Sequence, residues 1–318
     1  MDVLSDVVSV MRTGEPRSAR VEWYAPWGQH FLPGRGVGFQ LVLRGSCWLV
    51  PEHGEPYELG AGDLVFMPRG HGHALADHPS TPLREASCDA PDDGSRVELR
   101  YAAPPVGRPR PDGPEPGAVT LCGAYQLDPG RAHPLLDELP DLLYLPAGPG
   151  RPPEIRSAVE LLAGELERPR LGADTVVPAL LDLLLLFVLR TWFDQRPPPE
   201  RAVGWAAALN DPATGAALHA MHRAPGHPWT VEQLAALTGL SRAAFAKRFS
   251  ALVGRPPLGY LTWWRLTTAA RLLRESDATL GAMSARVGYT SEYALANAFK
   301  REFGMAPGRY RRQQRARG

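Results

Sequence analysis

The chain has 318 residues, 44% of them hydrophobic and 22% charged, with a formal net charge of +1. That length exceeds one small core and implies two or three domains, and the composition excludes a disordered or fibrous chain. The three cysteines, Cys47, Cys88 and Cys122, are odd in number and widely spaced, which excludes a secreted disulfide framework.

The small total charge hides an asymmetry. Residues 229–318 hold 15 Lys/Arg and 5 Asp/Glu, net +10, whereas residues 1–228 hold 20 and 29, net −9. A basic module joined to an acidic one places any polyanion on the C-terminal part. Met1-Asp2-Val3-Leu4-Ser5-Asp6 has no basic start and no long apolar run, so no signal peptide is read and a cytoplasmic location is expected. Val176 to Phe193 is the most apolar segment. It contains Pro178, Asp182 and Arg190 and reads as a buried or partner-facing helix rather than a membrane span.

In chain order, residues 20–105 read as β-structure. Phe39-Gln40-Leu41-Val42-Leu43, Cys47-Trp48-Leu49-Val50 and Leu64-Val65-Phe66-Met67 are short apolar runs separated by Gly, Pro and charged turns. Many short strands with regular turn signals predict a barrel or sandwich. Pro104 to Gly117 reads as a Pro/Gly-rich loop, and Val119 to Gly123 as a further extended run. Helices follow. Glu154 to Arg168 places Ile155, Val159, Leu162 and Leu166 on one face. Asp174 to Gln195 is a long apolar helix stopped by Arg196-Pro197-Pro198-Pro199. Its Leu181, Leu184, Leu185 and Val188 recur at heptad-like spacing, which fits a dimer seam or burial within the subunit equally. Shorter helices are expected over Ala202–Leu209 and Ala213–Arg223, before a boundary at Ala224-Pro225-Gly226-His227-Pro228.

The last third repeats itself at an offset of fifty residues. Ser241, Ala244, Ala246, Phe249, Gly254, Pro257 and Tyr260 match Ser291, Ala294, Ala296, Phe299, Gly304, Pro307 and Tyr310. Each copy reads as helix, tight turn, second helix and Gly-x-x-Pro stop: a duplicated helix-turn-helix, a device that places a helix in a DNA groove. Thr230-Val231-Glu232-Gln233 is a capping box and Ser241 caps the next helix. Phe245, Phe249 and Leu252 should face the core, leaving Arg242, Ala243, Ala246 and Lys247 outside. In the second copy Leu280–Val287 is the supporting helix. Leu295, Phe299 and Phe303 turn inward, leaving Glu292, Tyr293, Ala296 and Asn297 outside. Pro257 to Glu275 reads as one connecting helix of about 28 Å, comparable to the spacing of about 34 Å between major-groove faces. Arg265, Arg271, Arg274, Lys300, Arg301 and the Arg309–Arg317 tail are candidates for phosphate contact.

Residues from about 212 to 312 resemble the DNA-binding domain of the AraC/XylS family of bacterial transcription regulators. The resemblance lies in Trp229 to Ala235, Leu240-Ser241-Arg242-Ala243-Ala244-Phe245, Arg248-Phe249, Val287-Gly288-Tyr289, Ala298 to Arg301, Phe303-Gly304-Met305-Ala306-Pro307 and Tyr310-Arg311. By position it makes Arg242, Ala243, Ala246 and Lys247 the base-reading residues of the first unit, and Glu292, Tyr293, Ala296 and Asn297 those of the second. Thr230, Ser241, Arg248, Ser291, Lys300 and Arg301 are the expected phosphate contacts. Two alanines in the first set depart from relatives with large polar residues there and leave more of the readout to Arg242 and Lys247. The resemblance also implies RNA polymerase as a partner and activation as the commoner behaviour; a homodimer is expected from the Asp174–Gln195 helix.

Gly62, Pro68-Arg69-Gly70-His71-Gly72-His73 fits the second signature of cupin barrels, with Asp77 where Asn is usual. Many AraC-type regulators carry such a sensor, and the N-terminal half resembles them, Leu121-Cys122-Gly123 and His133 to Pro140 included. The first cupin signature is absent: Leu32, Gly34 and Gly38 stand near where its ligands would fall. Two readings remain for His71 and His73: zinc or iron ligands together with Cys122, or hydrogen-bonding groups at a pocket rim. Cys122 is either a small buried residue or a redox-sensing thiol. Trp23, Tyr24, Trp27, Phe31 and Trp48 are core or line an apolar pocket.

The expectation is an α+β protein: a cupin-like effector-sensing β-barrel over 1–150, a helical linker and dimerisation region over 151–211, and an all-α double helix-turn-helix domain over 212–318. It would be a non-enzymatic, sequence-specific transcription regulator binding double-stranded promoter DNA, away from membranes. A small-molecule effector or redox signal would act in the barrel, with no cofactor beyond zinc. The competing readings are a cupin-type metalloenzyme with secondary DNA binding and a nonspecific DNA-coating protein.

Overall fold

The computed structural model describes residues 3–11, 17–33, 36–85, 105–107, 115–126, 133, 135, 138–195 and 204–315. Cys88, the Arg196–Pro199 stop and Arg317 lie outside them. The chain forms two compact units that interleave in sequence. One holds residues 14–132 and 139–192, the other residues 1–13, 133–138 and 193–318. This differs from the three consecutive blocks read from the sequence. The helices between residues 153 and 194 group with the strands, and the N-terminal helix groups with the duplicated helix-turn-helix.

The first unit is a curled sheet. Its strands are β1 (Arg17–Trp23), β2 (Gly28–Phe31), β3 (Gly36–Pro51), β4 (Tyr57–Gly60), β5 (Leu64–Met67), β6 (His73–Ala76), β7 (Arg84–Glu85), β8 (Ala118–Gln126) and β9 (Leu143–Leu145). The order is β1-β8-β3-β6-β2-β7, with β4 and β5 also on β3, and β9 on β5. The 16-residue β3 is the spine. Its first half pairs with β8 and β5, and its second half with β4 and β6. A register shift between Val42 and Arg44 bends it, which lets one strand serve both halves of the curl. Inside lie Val21, Trp23, Trp27, Val42, Cys47, Leu49, Leu59, Val65, Met67 and Leu75. Trp23 and Trp27 stack at 4.1 Å between ring centroids, so these two aromatics are core. Burying a Leu such as Leu49 or Leu59 contributes roughly 1.5–3 kcal/mol.

Two helices complete this unit, α2 (Pro153–Glu167) and α3 (Ala173–Asp194). The α2 stripe of Ile155, Val159, Leu162 and Leu166 is buried, as its period requires. α3 is long and apolar enough to cross a membrane by length and composition. Its Leu181, Leu184, Leu185 and Val188 line a seam with Phe39, Leu64 and Phe66, so the heptad-like row is buried within its own unit. The large apolar residues that α2 and α3 leave exposed are others: Leu161, Val176 and Leu183.

The second unit is helical: α1 (Val3–Met11), α4 (Trp205–Asn210), α5 (Pro212–Arg223), α6 (Val231–Ala236), α7 (Arg242–Val253), α8 (Pro257–Glu275), α9 (Leu280–Val287), α10 (Glu292–Phe303) and α11 (Pro307–Arg315). Each turn of the duplicated motif ends where local chemistry demands. Thr230 and Gln233 form a reciprocal capping box, and Ser241, Thr279 and Ser291 accept from Ala244, Ala282 and Ala294 amides. α7 and α10 stop at Gly254 and Gly304, both left-handed. Val253, not Leu252, closes the buried stripe of α7 behind Phe245 and Phe249. Leu295, Phe299 and Phe303 of α10 enter a core with Leu266, Leu273, Met283, Val287 and Tyr310.

Candidate nucleic-acid interface

Because the Phe stripes point inward, the opposite faces of α7 and α10 meet solvent. Arg242, Ala243 and Lys247 on α7 and Glu292, Tyr293 and Asn297 on α10 are exposed; Ala246 and Ala296 are half-buried at equivalent positions. Tyr293 is 75% exposed, a large aromatic ring without a core role. The duplication therefore presents the same four-position face in both copies.

The cations of this unit fall into two groups. Arg248 is tied to Asp211, with Nε 2.9 Å from Oδ2 and an Nη2 contact to the same oxygen. Asp211 also caps α5 through the Thr214 amide, so Arg248 fastens α7 to the start of α5. Arg265 donates from Nε to the Pro225 carbonyl at 2.6 Å and from Nη2 to the His227 carbonyl at 2.7 Å. Arg274 donates to the Tyr310 hydroxyl, and Arg311 to the Ala278 carbonyl. Arginine count overstates the charge free for DNA: Arg265, Arg274 and Arg311 hold the fold together. Lys247, Lys300 and Arg301 are exposed. Arg242 Nε lies 2.7 Å from Glu232 Oε1, joining the supporting and reading helices of the first copy. Nothing local in the sequence marks Asp211 as the partner of Arg248, and Glu232 shows there only as a carboxylate inside the Thr230-Val231-Glu232-Gln233 capping box.

In the strand unit, the residues read as a metal or effector set do not converge. His71 Nε2 lies 3.2 Å from Asp141 on the exposed side. His73 is buried and stacks on Phe31. Between His73 and Cys122 stands the Gln40 amide. Cys122 Sγ donates to Gln40 Oε1 at 2.7 Å, and Gln40 Nε2 lies 3.2 Å from His73 Nε2. The run continues on both sides. Trp23 Nε1 donates to Thr120 Oγ1, 3.8 Å from Cys122 Sγ, and His73 Nδ1 is 3.3 Å from the His71 carbonyl. With neutral His73 protonated on Nδ1, every donor in this ladder points the same way, a mutually polarising chain that satisfies the buried polar groups. Burial keeps His73 neutral by pushing it down to about 4. Burial likewise pushes the Cys47 thiol up to about 12. Among the described residues no group of three His, Cys, Asp or Glu is placed to hold a metal ion. The His71, His73 and Cys122 set does not fit zinc, because Gln40 occupies the space between two of them and the third turns away.

Residues 2–194 match a cupin family and residues 234–313 a helix-turn-helix domain family. An AraC-like transcription regulator of Streptomyces lividans is 36% identical over 313 residues, 98% of this chain and 98% of its own. The HTH-type transcriptional regulator AlkR of Acinetobacter baylyi is 30% identical over 319 residues, 98% of this chain and 100% of its own. The solved DNA-binding domain of AdpA, a global transcriptional factor, in complex with a target DNA is 36% identical. It covers 34% of this chain and 96% of that domain, with a TM-score of 0.32.

Proposed function

The chain belongs to the AraC-type DNA-binding transcription regulators, and from that premise we propose how its residues divide the work on a promoter. Arg242, Ala243, Ala246 and Lys247 face base edges in one major-groove segment; Glu292, Tyr293, Ala296 and Asn297 face the next. Asn297 suits adenine, Glu292 accepts from a cytosine amine, and Tyr293 or Ala296 covers a thymine methyl. Thr230, Ser241 and Ser291 use their oxygens as cap acceptors, which leaves each hydroxyl proton to donate to a phosphate. Lys300 and Arg301 supply phosphate charge, and Arg248 contributes only through donors that Asp211 leaves. The observation that carries this reading is the duplicated reading helix, capped and stopped alike in both copies, with the same face open to solvent.

In the same reading the protein is a cytoplasmic homodimer that activates transcription with RNA polymerase. Exposed Val176 and Leu183 of α3 are the surface that supports a dimer. A small molecule or redox event acts in the strand unit. The redox version rests on Cys122, because Cys47 holds its proton too tightly to react. Among the described residues no converging ligand set supports the metalloenzyme alternative, and the relatives named above are transcription regulators.

The test uses the full chain and duplexes selected by it from a random pool. Anisotropy titrations at several salt concentrations should show steep salt dependence. Lys300→Ala with Arg301→Ala should lower the slope of log affinity against log salt by about 2 and leave sequence preference intact. Unchanged slopes in that variant, or no sequence preference in the wild type, would refute the assignment.

A further inference from the structure

The first reading helix carries three cations, Arg242, Lys247 and Arg248, and two of them are held by carboxylates. The Arg248 pair has a structural purpose, since Asp211 is 5% exposed and caps a helix. The Arg242 pair bridges α6 and α7 only at the solvent surface. Its side chains are 69% and 59% exposed, and an ion pair in that setting adds little to stability. What it does fix is the direction of a planar fork. A guanidinium offers three edges; with Nε on Glu232 Oε1, the end bearing Nη1 and Nη2 is left over. That end is the one that donates to guanine O6 and N7 together. Ala243 beside it and Ala246 one turn on are small and let the helix approach the base edges. Lys247 is a point charge without a fork.

We propose that Glu232 is a positioning residue that makes Arg242 a guanine reader, so that the specificity of the first helix-turn-helix unit is concentrated on one G·C pair. This rests on the assignment of Arg242 to the base-reading face. Glu232 acts twice. It presents the forked end toward the groove floor, and its negative charge cancels that of Arg242, which weakens the pull of neighbouring phosphates on the same side chain. The pair then contributes direction without non-specific charge.

The experiment selects binding sites from a random duplex pool with full-length wild type, Glu232→Gln, Arg242→Ala and Arg242→Lys, and titrates a fixed random duplex against salt. The wild type should select guanine at one position by about tenfold or more. Arg242→Ala and Arg242→Lys should lose that position and keep the rest of the site. Glu232→Gln should reduce the guanine preference severalfold and raise the salt slope by about 1, because one uncompensated cation is then available to phosphates. Melting temperatures should match the wild type, since both positions are exposed. If Glu232→Gln keeps full preference while Arg242→Ala abolishes it, the positioning role is wrong and the reading of Arg242 stands. If Arg242→Ala leaves every position intact and only weakens binding uniformly, Arg242 is a phosphate contact and the assignment beneath the proposal fails.

Discussion

His222 Nδ1 lies 3.2 Å from Asp6 Oδ2, a contact between residues 216 positions apart and both inside the helical unit. The other ring nitrogen of His222 is 2.6 Å from the Tyr260 hydroxyl, and the ring stacks on Trp264 at 3.8 Å between centroids. Burial keeps His222 below the usual histidine range despite Asp6. The neutral ring therefore donates to Asp6 and accepts from Tyr260. A second remote segment joins the same cluster. His133 sets its edge against Trp205 and Trp263, and the Glu138 carboxylate accepts from the Trp205 amide at the start of α4. The reading helices thus sit on a core that α1, His133 and Glu138 help to build, not on residues 212–318 alone.

Removing the acceptor tests this. Asp6→Ala leaves a buried N–H of His222 unsatisfied, which costs about 1–3 kcal/mol. Thermal unfolding of the full chain should show a fall of several degrees, with a smaller fall for Asp6→Asn, which retains a carbonyl oxygen. Amide exchange should speed up in α5 and α8, the helices carrying His222 and Tyr260. Unchanged exchange there would show that α1 is not seated on the helical unit in solution.

The strand unit carries its own pH dependence. His73 titrates at about 4 when folded and at about 6.5 when unfolded. Between those values the unfolded chain holds a proton that the folded one lacks, so stability falls as pH drops. The contribution of neutral His73 is complete above about pH 6.5 and is lost progressively toward pH 4. At about 1.4 kcal/mol per unit, roughly 2 kcal/mol is gone at pH 5. His133 and His222 are shifted downward by burial as well and act in the same sense. Wild-type unfolding free energy should decline from pH 7.5 to 5, and His73→Gln should decline less steeply, by about one proton. Parallel profiles would mean that His73 is not buried neutral.

What could be read in the sequence was local. Ser241 and Ser291, Gly254 and Gly304, and the Phe spacing within each copy state helix starts, stops and buried faces within a dozen residues, and those elements stand as expected. What could not be read depends on partners far along the chain. Arg248 and Arg265 look like Arg242 in a sequence. Only the fold shows Asp211 on the first and two backbone carbonyls on the second. The Leu row of α3 has a period that fits a partner helix or a sheet face equally, and Phe39, Leu64 and Phe66 decide it. Asp6 offers no local signal at all, because its partner lies in another segment of the chain.

The helix stops supply the last test. Gly254 and Gly304 have φ of +77° and +66°, and a Cβ added at either would meet nothing within 4 Å. Any cost of Gly→Ala there is therefore backbone strain rather than a clash, about 1–2 kcal/mol, offset by roughly 0.4–1 kcal/mol from a stiffer unfolded chain. Gly254→Ala should be destabilising by about 1 kcal/mol, whereas Gly254→Asn should cost less because Asn tolerates the left-handed region. The same order should hold at Gly304. The stop also fixes where Pro257 starts the connecting helix, so Gly254→Ala should weaken binding to selected duplexes more than its loss of stability accounts for. Equal stability of Ala and Asn at both positions would show that the left-handed stop relaxes freely, and that the spacing of the two reading helices does not depend on it.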